Sequence, residues 1–184
     1  MGDVELFARV ARAPVVAITG ANGKSTVTSL VGEMCREAGF DTAVGGNIGV
    51  PVLDLLRAPE PDVYVLELSS FQLETTTSLN ARAAAVLNIV PDHMDRYATL
   101  ADYAAAKARI FRGDGTIILN AYDPVVLAMG LPGRSTVRFG ANPPASDIDY
   151  GLVAHGGETW LARGARQLLP ASAGDAEGPA SGSV

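Results

Sequence analysis

The chain has 184 residues, 48% apolar and 18% charged, the balance of one ordinary folded domain and not of a disordered chain or a coiled coil. Fourteen Lys and Arg against 20 Asp and Glu leave a net charge of −6, which argues against a broad basic surface for nucleic acid or an anionic membrane. The lone Cys35 forms neither an internal disulfide nor a thiolate zinc cage, no apolar run approaches the ~20 residues of a membrane span, and the acidic start MGDVELFARVARAP is unlike a signal peptide. The expectation is a cytoplasmic α/β domain without nucleic-acid or membrane partners.

In chain order, residues 2–12 read as a short helix or a lead-in. The run Val15-Val16-Ala17-Ile18-Thr19 has the pattern of a strand buried on both faces. After a glycine-rich turn, residues 25–38 predict a helix with Val27, Leu30, Val31 and Met34 on its apolar stripe and Gly39 as its C-terminal cap. Strand-like runs follow at 41–44, 63–68, 83–89 and 116–119, and helix-like runs at 50–57 and 100–111. Alternation of this kind predicts right-handed crossovers and a doubly wound, mainly parallel sheet, whose ligands gather at the carboxyl ends of the strands. Beyond Gly140, residues 148–154 and 158–162 flank His155-Gly156-Gly157, a predicted β-hairpin. Residues 1–14 are therefore read as a lead-in, 15–170 as the domain, and 171–184, built of small, acidic and turn residues, as a flexible tail.

The most informative stretch is Gly20-Ala21-Asn22-Gly23-Lys24-Ser25-Thr26, set between the first buried strand and an amphipathic helix. Glycines let backbone N–H groups approach phosphates, and a helix N-terminus favours their charge. Lys24 would reach the β- and γ-phosphates and the Ser25 hydroxyl would bind magnesium. The spacing is shorter than G-x-x-x-x-G-K-[ST], whose first glycine would fall on Ile18. An ordinary glycine turn capped by Ser25 is the bland alternative; strand before and helix after favour a nucleoside triphosphate.

Other polar groups follow strands. Glu67 ends Val63-Tyr64-Val65-Leu66; it reads as a magnesium ligand opposite the loop or as a strand-end salt-bridge or capping residue. His93, in Asn88-Ile89-Val90-Pro91-Asp92-His93-Met94-Asp95, reads as a functional loop histidine or as a solvated one. Lys107 lies three or four residues from Tyr103, Ala104, Ile110 and Phe111, on an apolar stripe. It either snorkels to the helix edge or is buried, as a neutral amine or as a carbamate formed with CO2. His155 reads as a plain turn residue. Gly45-Gly46-Asn47-Ile48-Gly49 reads as a turn with Asn47 in an unusual backbone conformation.

With ITGANGKST, GGNIG, LELSSFQLE, LNIVPDHMDRY and AAKARIF in this order, the chain resembles the Mur ligase family, most closely its D-glutamate-adding branch. The likeness runs from residue 2 to 169, and LELSSFQLE carries the branch assignment. It implies that Gly20, Ala21, Asn22, Gly23, Lys24, Ser25 and Thr26 hold ATP. It also implies that Ser25, Glu67, His93 and Lys107 (as carbamate) hold Mg2+, with Lys24, Lys107 and His93 catalytic. Asn47, Ser69 and Gln72 match positions near the muramoyl-alanine end of the substrate. The implied reaction joins D-glutamate to UDP-N-acetylmuramoyl-L-alanine through an acyl phosphate, in peptidoglycan precursor synthesis. The family pattern has three domains and is monomeric. This chain resembles the middle one, cut short after residue 170, so an exposed sheet edge and some self-association are expected. The competing reading is a nucleotide-binding module without ligase activity.

Overall fold

The fold rests on strands that bury side chains on both faces. In the computed structural model, which describes residues 1–171, every residue of β3 (Val63–Glu67) is buried. Tyr64 and Leu66 enter a large core on one face, and Val65 enters a smaller core on the other. The flanking strands β1 (Val15–Thr19) and β4 (Ala83–Val86) divide likewise, with Ala17 and Val86 in the first core and Ile18 and Ala85 in the second. Period-two alternation with apolar residues at both phases is what a covered parallel sheet requires.

Helices α1 (Asp3–Val10), α3 (Val52–Leu55), α4 (Ser70–Glu74), α5 (Leu100–Ala108) and α6 (Pro124–Leu127) all contribute to the larger core. Among the described residues, α2 (Lys24–Glu37) is the one helix that covers the other face. With β2 (Thr42–Gly46), β5 (Thr116–Asn120), β6 (Thr136–Phe139), β7 (Tyr150–His155), β8 (Glu158–Arg163) and β9 (Arg166–Ala171), the sheet order is β2-β3-β1-β4-β5-β6-β7-β8-β9. Neighbours from β2 to β7 pair in parallel, and β7, β8 and β9 form an antiparallel meander. From β1 the chain moves outward to β2, returns to β3, then crosses to β4 on the other side of β1. That reversal opens a crevice at the carboxyl end of β1, where doubly wound sheets bind ligands.

The expected doubly wound, mainly parallel sheet is therefore observed, and the expected hairpin is there with a third strand added. Gly156 and Gly157, both at positive φ (62° and 84°), make its two-residue turn. Other expectations need correction. The apolar stripe of α2 is rotated: Leu30 and Met34 are 57% and 61% exposed. Thr28 and Gly32 are the buried positions, flanked by half-buried Val31 and Cys35. The cause is close approach, since a Cβ at Gly32 would stand 2.5 Å from Val44 Cγ2. Small residues let the helix sit low on the sheet, a role that hydrophobicity alone does not reveal.

Residues 3–10 form a helix that buries Val4 and Phe7 in the main core. Its Glu5 carboxylate accepts from the N–H groups of Thr77 and Ser78 and from the Ser78 hydroxyl, at 2.7–2.9 Å. These bonds, the Thr77 N–H foremost, hold its pKa far below the usual carboxylate range. The strand expected at 83–89 stops at Val86, which releases 87–89 as a loop, and the helix expected at 50–57 shrinks to α3. The expected flexible tail lies, apart from Ala171, outside the described residues.

Candidate active site

The glycine-rich loop leaves β1 and enters α2, as its sequence predicts. Gly23 (φ 76°) is the N-cap of α2, and no side chain caps that end. The first backbone bond of the helix runs from the Val27 N–H to the Gly23 carbonyl. The N–H groups of Gly23, Lys24, Ser25 and Thr26 thus meet no acceptor among the described residues, leaving a cluster of donors suited to an anion. The Lys24 ammonium donates to the Ala21 carbonyl at 2.9 Å, folded back over its own loop.

Opposite this loop stands Glu67, buried at the carboxyl end of β3. One of its oxygens accepts from the Ser25 hydroxyl at 2.7 Å, the other from the Asn47 side-chain amide at 2.9 Å. The turn after β2 is tied to the same residue, because the Asn47 N–H donates to the Glu67 carbonyl at 2.8 Å. Ser25 and Glu67 are hard oxygen donors beside a phosphate-shaped cradle, the donor chemistry that suits magnesium shared with a nucleotide. No group of three or more His, Cys, Asp or Glu side chains converges on a metal position among the described residues. Any ion here would depend on hydroxyl and ligand oxygens as well.

Lys107 does not snorkel. It is 2% exposed, and its ammonium donates to the Gly20 carbonyl at 2.9 Å and the Thr19 hydroxyl at 3.3 Å. It also lies 4.7 Å from the centre of the Tyr103 ring. Burial, and then the neighbouring Lys24 charge, push its pKa down to about 8. Lys107 therefore gives up its proton more readily than an ordinary lysine. Tyr103, buried and facing Asp92, is pushed up to about 12 and stays a neutral phenol.

A cavity of about 240 Å³ is lined by Lys24, Asn47, Ser69, Asp92, His93 and Lys107, with Ser70, Phe71 and Tyr103 completing its wall. His93 is half-exposed, packs its ring 4.9 Å from Phe71, and is the one non-glycine residue at positive φ (53°) among those described. The Asp92 carboxylate accepts its N–H at 2.9 Å, a local bond that offsets part of the strain. Loop strain at a cavity wall marks a site that the surrounding fold holds in place.

The predicted residues are brought together unequally. Lys24, Asn47, Ser69, His93 and Lys107 share the cavity, and Ser25 meets Glu67 beside it. Gln72 does not line it. Its side-chain carbonyl accepts the Ser69 N–H at 3.1 Å, its own N–H donates to the Ser69 hydroxyl at 3.2 Å, and its amide donates to Asp3 at 3.3 Å. Ser69 and Gln72 therefore form the capping box of α4, a pairing legible in the Ser-x-x-Gln spacing and not drawn from it. Tyr103, Asp92 and Phe71 were also missed, since nothing in their local pattern announces a cavity.

The family model for the Mur ligase middle domain matches residues 18–159. The UDP-N-acetylmuramoylalanine–D-glutamate ligase of Nitrosococcus oceani is 57% identical over 171 residues, covering 93% of this chain and 38% of the relative. The protein of the same name from Methylobacillus flagellatus is 60% identical over 172 residues, covering 92% and 38%. This chain thus spans about two fifths of the length of each. Among solved structures, the MurF ligase of Thermotoga maritima in complex with ADP superposes with a TM-score of 0.64 at 18% identity, over 86% of this chain and 41% of that one. A bifunctional folylpolyglutamate synthase/dihydrofolate synthase with Mn, AMPPNP and L-glutamate bound gives 0.65 at 17%, over 91% and 52%. At such identities the structures speak for the fold alone. Together with the loop, the buried lysine and the Ser25–Glu67 pair, the match over residues 18–159 establishes that this chain belongs to the Mur ligase family and carries its middle domain.

Proposed function

We propose that the chain is the ATP-binding part of a ligase that joins D-glutamate to UDP-N-acetylmuramoyl-L-alanine in peptidoglycan precursor synthesis, in the cytoplasm, where that nucleotide is used. The observation that carries the reading is the convergence of the loop, Glu67 and Lys107 on one crevice, in a chain 57–60% identical to relatives named for that reaction.

The chemical problem is that a carboxylate is a poor acyl donor and must meet an anionic phosphate. In the proposed sequence a carboxylate oxygen of the acyl substrate attacks the γ-phosphorus of ATP, and the bond to the bridging oxygen breaks toward ADP. The D-glutamate amine then attacks the acyl carbon, phosphate leaves with the carbon–oxygen electron pair, and the nitrogen sheds a proton. The N–H groups of Gly23–Thr26 would hold the phosphate chain, and Lys24 would leave the Ala21 carbonyl for the transferring group. Ser25 and Glu67 would hold magnesium, joined by His93 and a Lys107 carbamate. The ion would supply neutralisation of charge between phosphate and carboxylate. The lowered pKa supports the carbamate: a neutral Lys107 amine can add CO2 and release a proton, exchanging a buried cation beside Lys24 for an anion. Asn47 and Ser69 on the cavity wall would face the muramoyl-alanine end, and Gln72 would act there through the α4 cap.

A second reading is nucleotide binding without ligation, which the open N–H groups of the loop and the Ser25–Glu67 pair would serve equally well. Phosphate release from ATP and magnesium, with both substrates together and with each omitted, separates the two. Release that needs both supports the ligase. Nucleotide binding without release supports the binding module, and absence of nucleotide binding overturns both.

A further inference from the structure

The loop does not hold its own shape. Asn88 lies just beyond the end of β4, and its side-chain carbonyl accepts the Asn22 N–H at 2.8 Å. Its side-chain amide donates to the Asn22 carbonyl at 3.0 Å, and its backbone carbonyl accepts the Ala21 N–H at 3.0 Å. One residue thus satisfies both backbone polar groups of Asn22 and the N–H before it, as a further strand of backbone would. Asn88 is itself held on both sides. The Asn120 amide donates to the Leu87 carbonyl at 2.8 Å, and the Ile89 N–H donates to the Asp123 carboxylate at 2.7 Å. Close approach is built in at Gly20, where a Cβ would stand 3.0 Å from Leu87 Cβ and 3.4 Å from the Asn88 nitrogen.

The clamp also sorts the loop's donors. Ala21 and Asn22 spend their N–H groups on Asn88, whereas Gly23, Lys24, Ser25 and Thr26 keep theirs for a ligand. From this geometry we infer that Asn88 is a positioning residue for the nucleotide loop, fixing the 21–22 segment so that the next four N–H groups converge on the phosphate chain of a nucleoside triphosphate. It touches no phosphate; it acts through Asn22. The inference rests on the nucleotide-site reading above and adds to it a role for Asn88, which lies in the LNIVPDHMDRY run but does not line the cavity.

The test uses this chain with ATP and magnesium, Asn88→Ala and Asn88→Asp, and two readouts: site-resolved amide exchange of Asn22 without nucleotide, and nucleotide affinity. In Asn88→Ala the Asn22 amide exchanges at least about tenfold faster and ATP affinity falls about tenfold, the effect of losing hydrogen bonds that held a loop. The thermal midpoint stays close to native. Asn88→Asp keeps the acceptor for the Asn22 N–H, so protection persists. Its affinity falls further, and the excess loss shrinks at high salt because it is electrostatic. An Asn22 amide as protected in Asn88→Ala as in the native chain overturns the clamp. Faster exchange with native affinity overturns the positioning role. Should Asn88→Ala fail to fold, Asn88→Asp decides alone: unprotected Asn22, or no salt-sensitive loss, overturns the inference. A native chain that binds no nucleotide overturns the nucleotide reading and the positioning role together, even where the exchange of Asn22 responds to Asn88, so the two failures are distinguishable.

Discussion

The parallel part of the sheet and the C-terminal meander belong to one continuous sheet and differ in what surrounds their strands. Strands β1, β3 and β4 run between two layers of helix, so most of their side chains are buried, and at their carboxyl ends stand Glu67, the start of α2 with Lys24, and the loop with Asn88 and His93. Strands β7–β9 join the parallel part through a single register pair, Phe139 with Tyr150, and Ala162 is the one buried hydrophobic residue of these strands among those whose burial is described. They supply no residue to the cavity that holds the candidate site. Chemistry gathers where parallel strands end together, because every βα connection delivers a loop to the same edge. An antiparallel meander sends its turns to alternate ends and collects nothing.

Substitutions can break or sharpen this contrast. The largest effect is expected in the buried strands. Leu66→Ala removes a side chain packed on all sides and should cost about 2–5 kcal/mol, whereas Leu161→Ala in the half-buried meander should cost about 1 kcal/mol. Equal losses in urea unfolding would mean that the meander is as integral as the centre. Next comes Lys24→Ala, expected to lower ATP affinity about a hundredfold with little change in thermal midpoint, since Lys24 bonds only its own loop; titration calorimetry reads this directly.

A smaller effect follows from Lys107. Its folded pKa of about 8 lies below its ordinary 10.5, so between these values the unfolded chain binds more protons and stability rises with pH. Below about pH 8 both states are protonated and the penalty is constant. Denaturation at pH 7.5, 9 and 10 should show that rise in the native chain and its absence in Lys107→Met. The smallest effect is expected at the exposed His155, the last residue of β7 before the hairpin turn. His155→Ala should change stability by less than about 0.5 kcal/mol and leave nucleotide affinity as it was, and a measurable loss of affinity would give the meander a part in the site.

The loop at 20–26, the buried strands and the anomaly of a lysine on an apolar stripe were all legible in the sequence, because each is a local matter of residue type, spacing or periodicity. The stripe of α2 was misread, since Gly32 and Thr28 approach the sheet by being small, and strand propensity missed β6 and β9. The site was legible as a set of suspects and not as an arrangement. Nothing local says that Lys107 reaches the Gly20 carbonyl, that Ser25 hydrogen-bonds Glu67, or that Gln72 spends its amide on the α4 cap and Asp3. Asn88 and Asn22 are 66 positions apart and meet only because β1 and β4 are neighbours at the switch in strand order. Sequence by itself determined the phosphate-binding loop and the elements around it, β1 to α2 and the buried strands β3, β4 and β5, through preferences that act within a few residues. Which distant carboxylate, amide and amine gather at that loop was decided by the tertiary structure, because sheet order sets those distances.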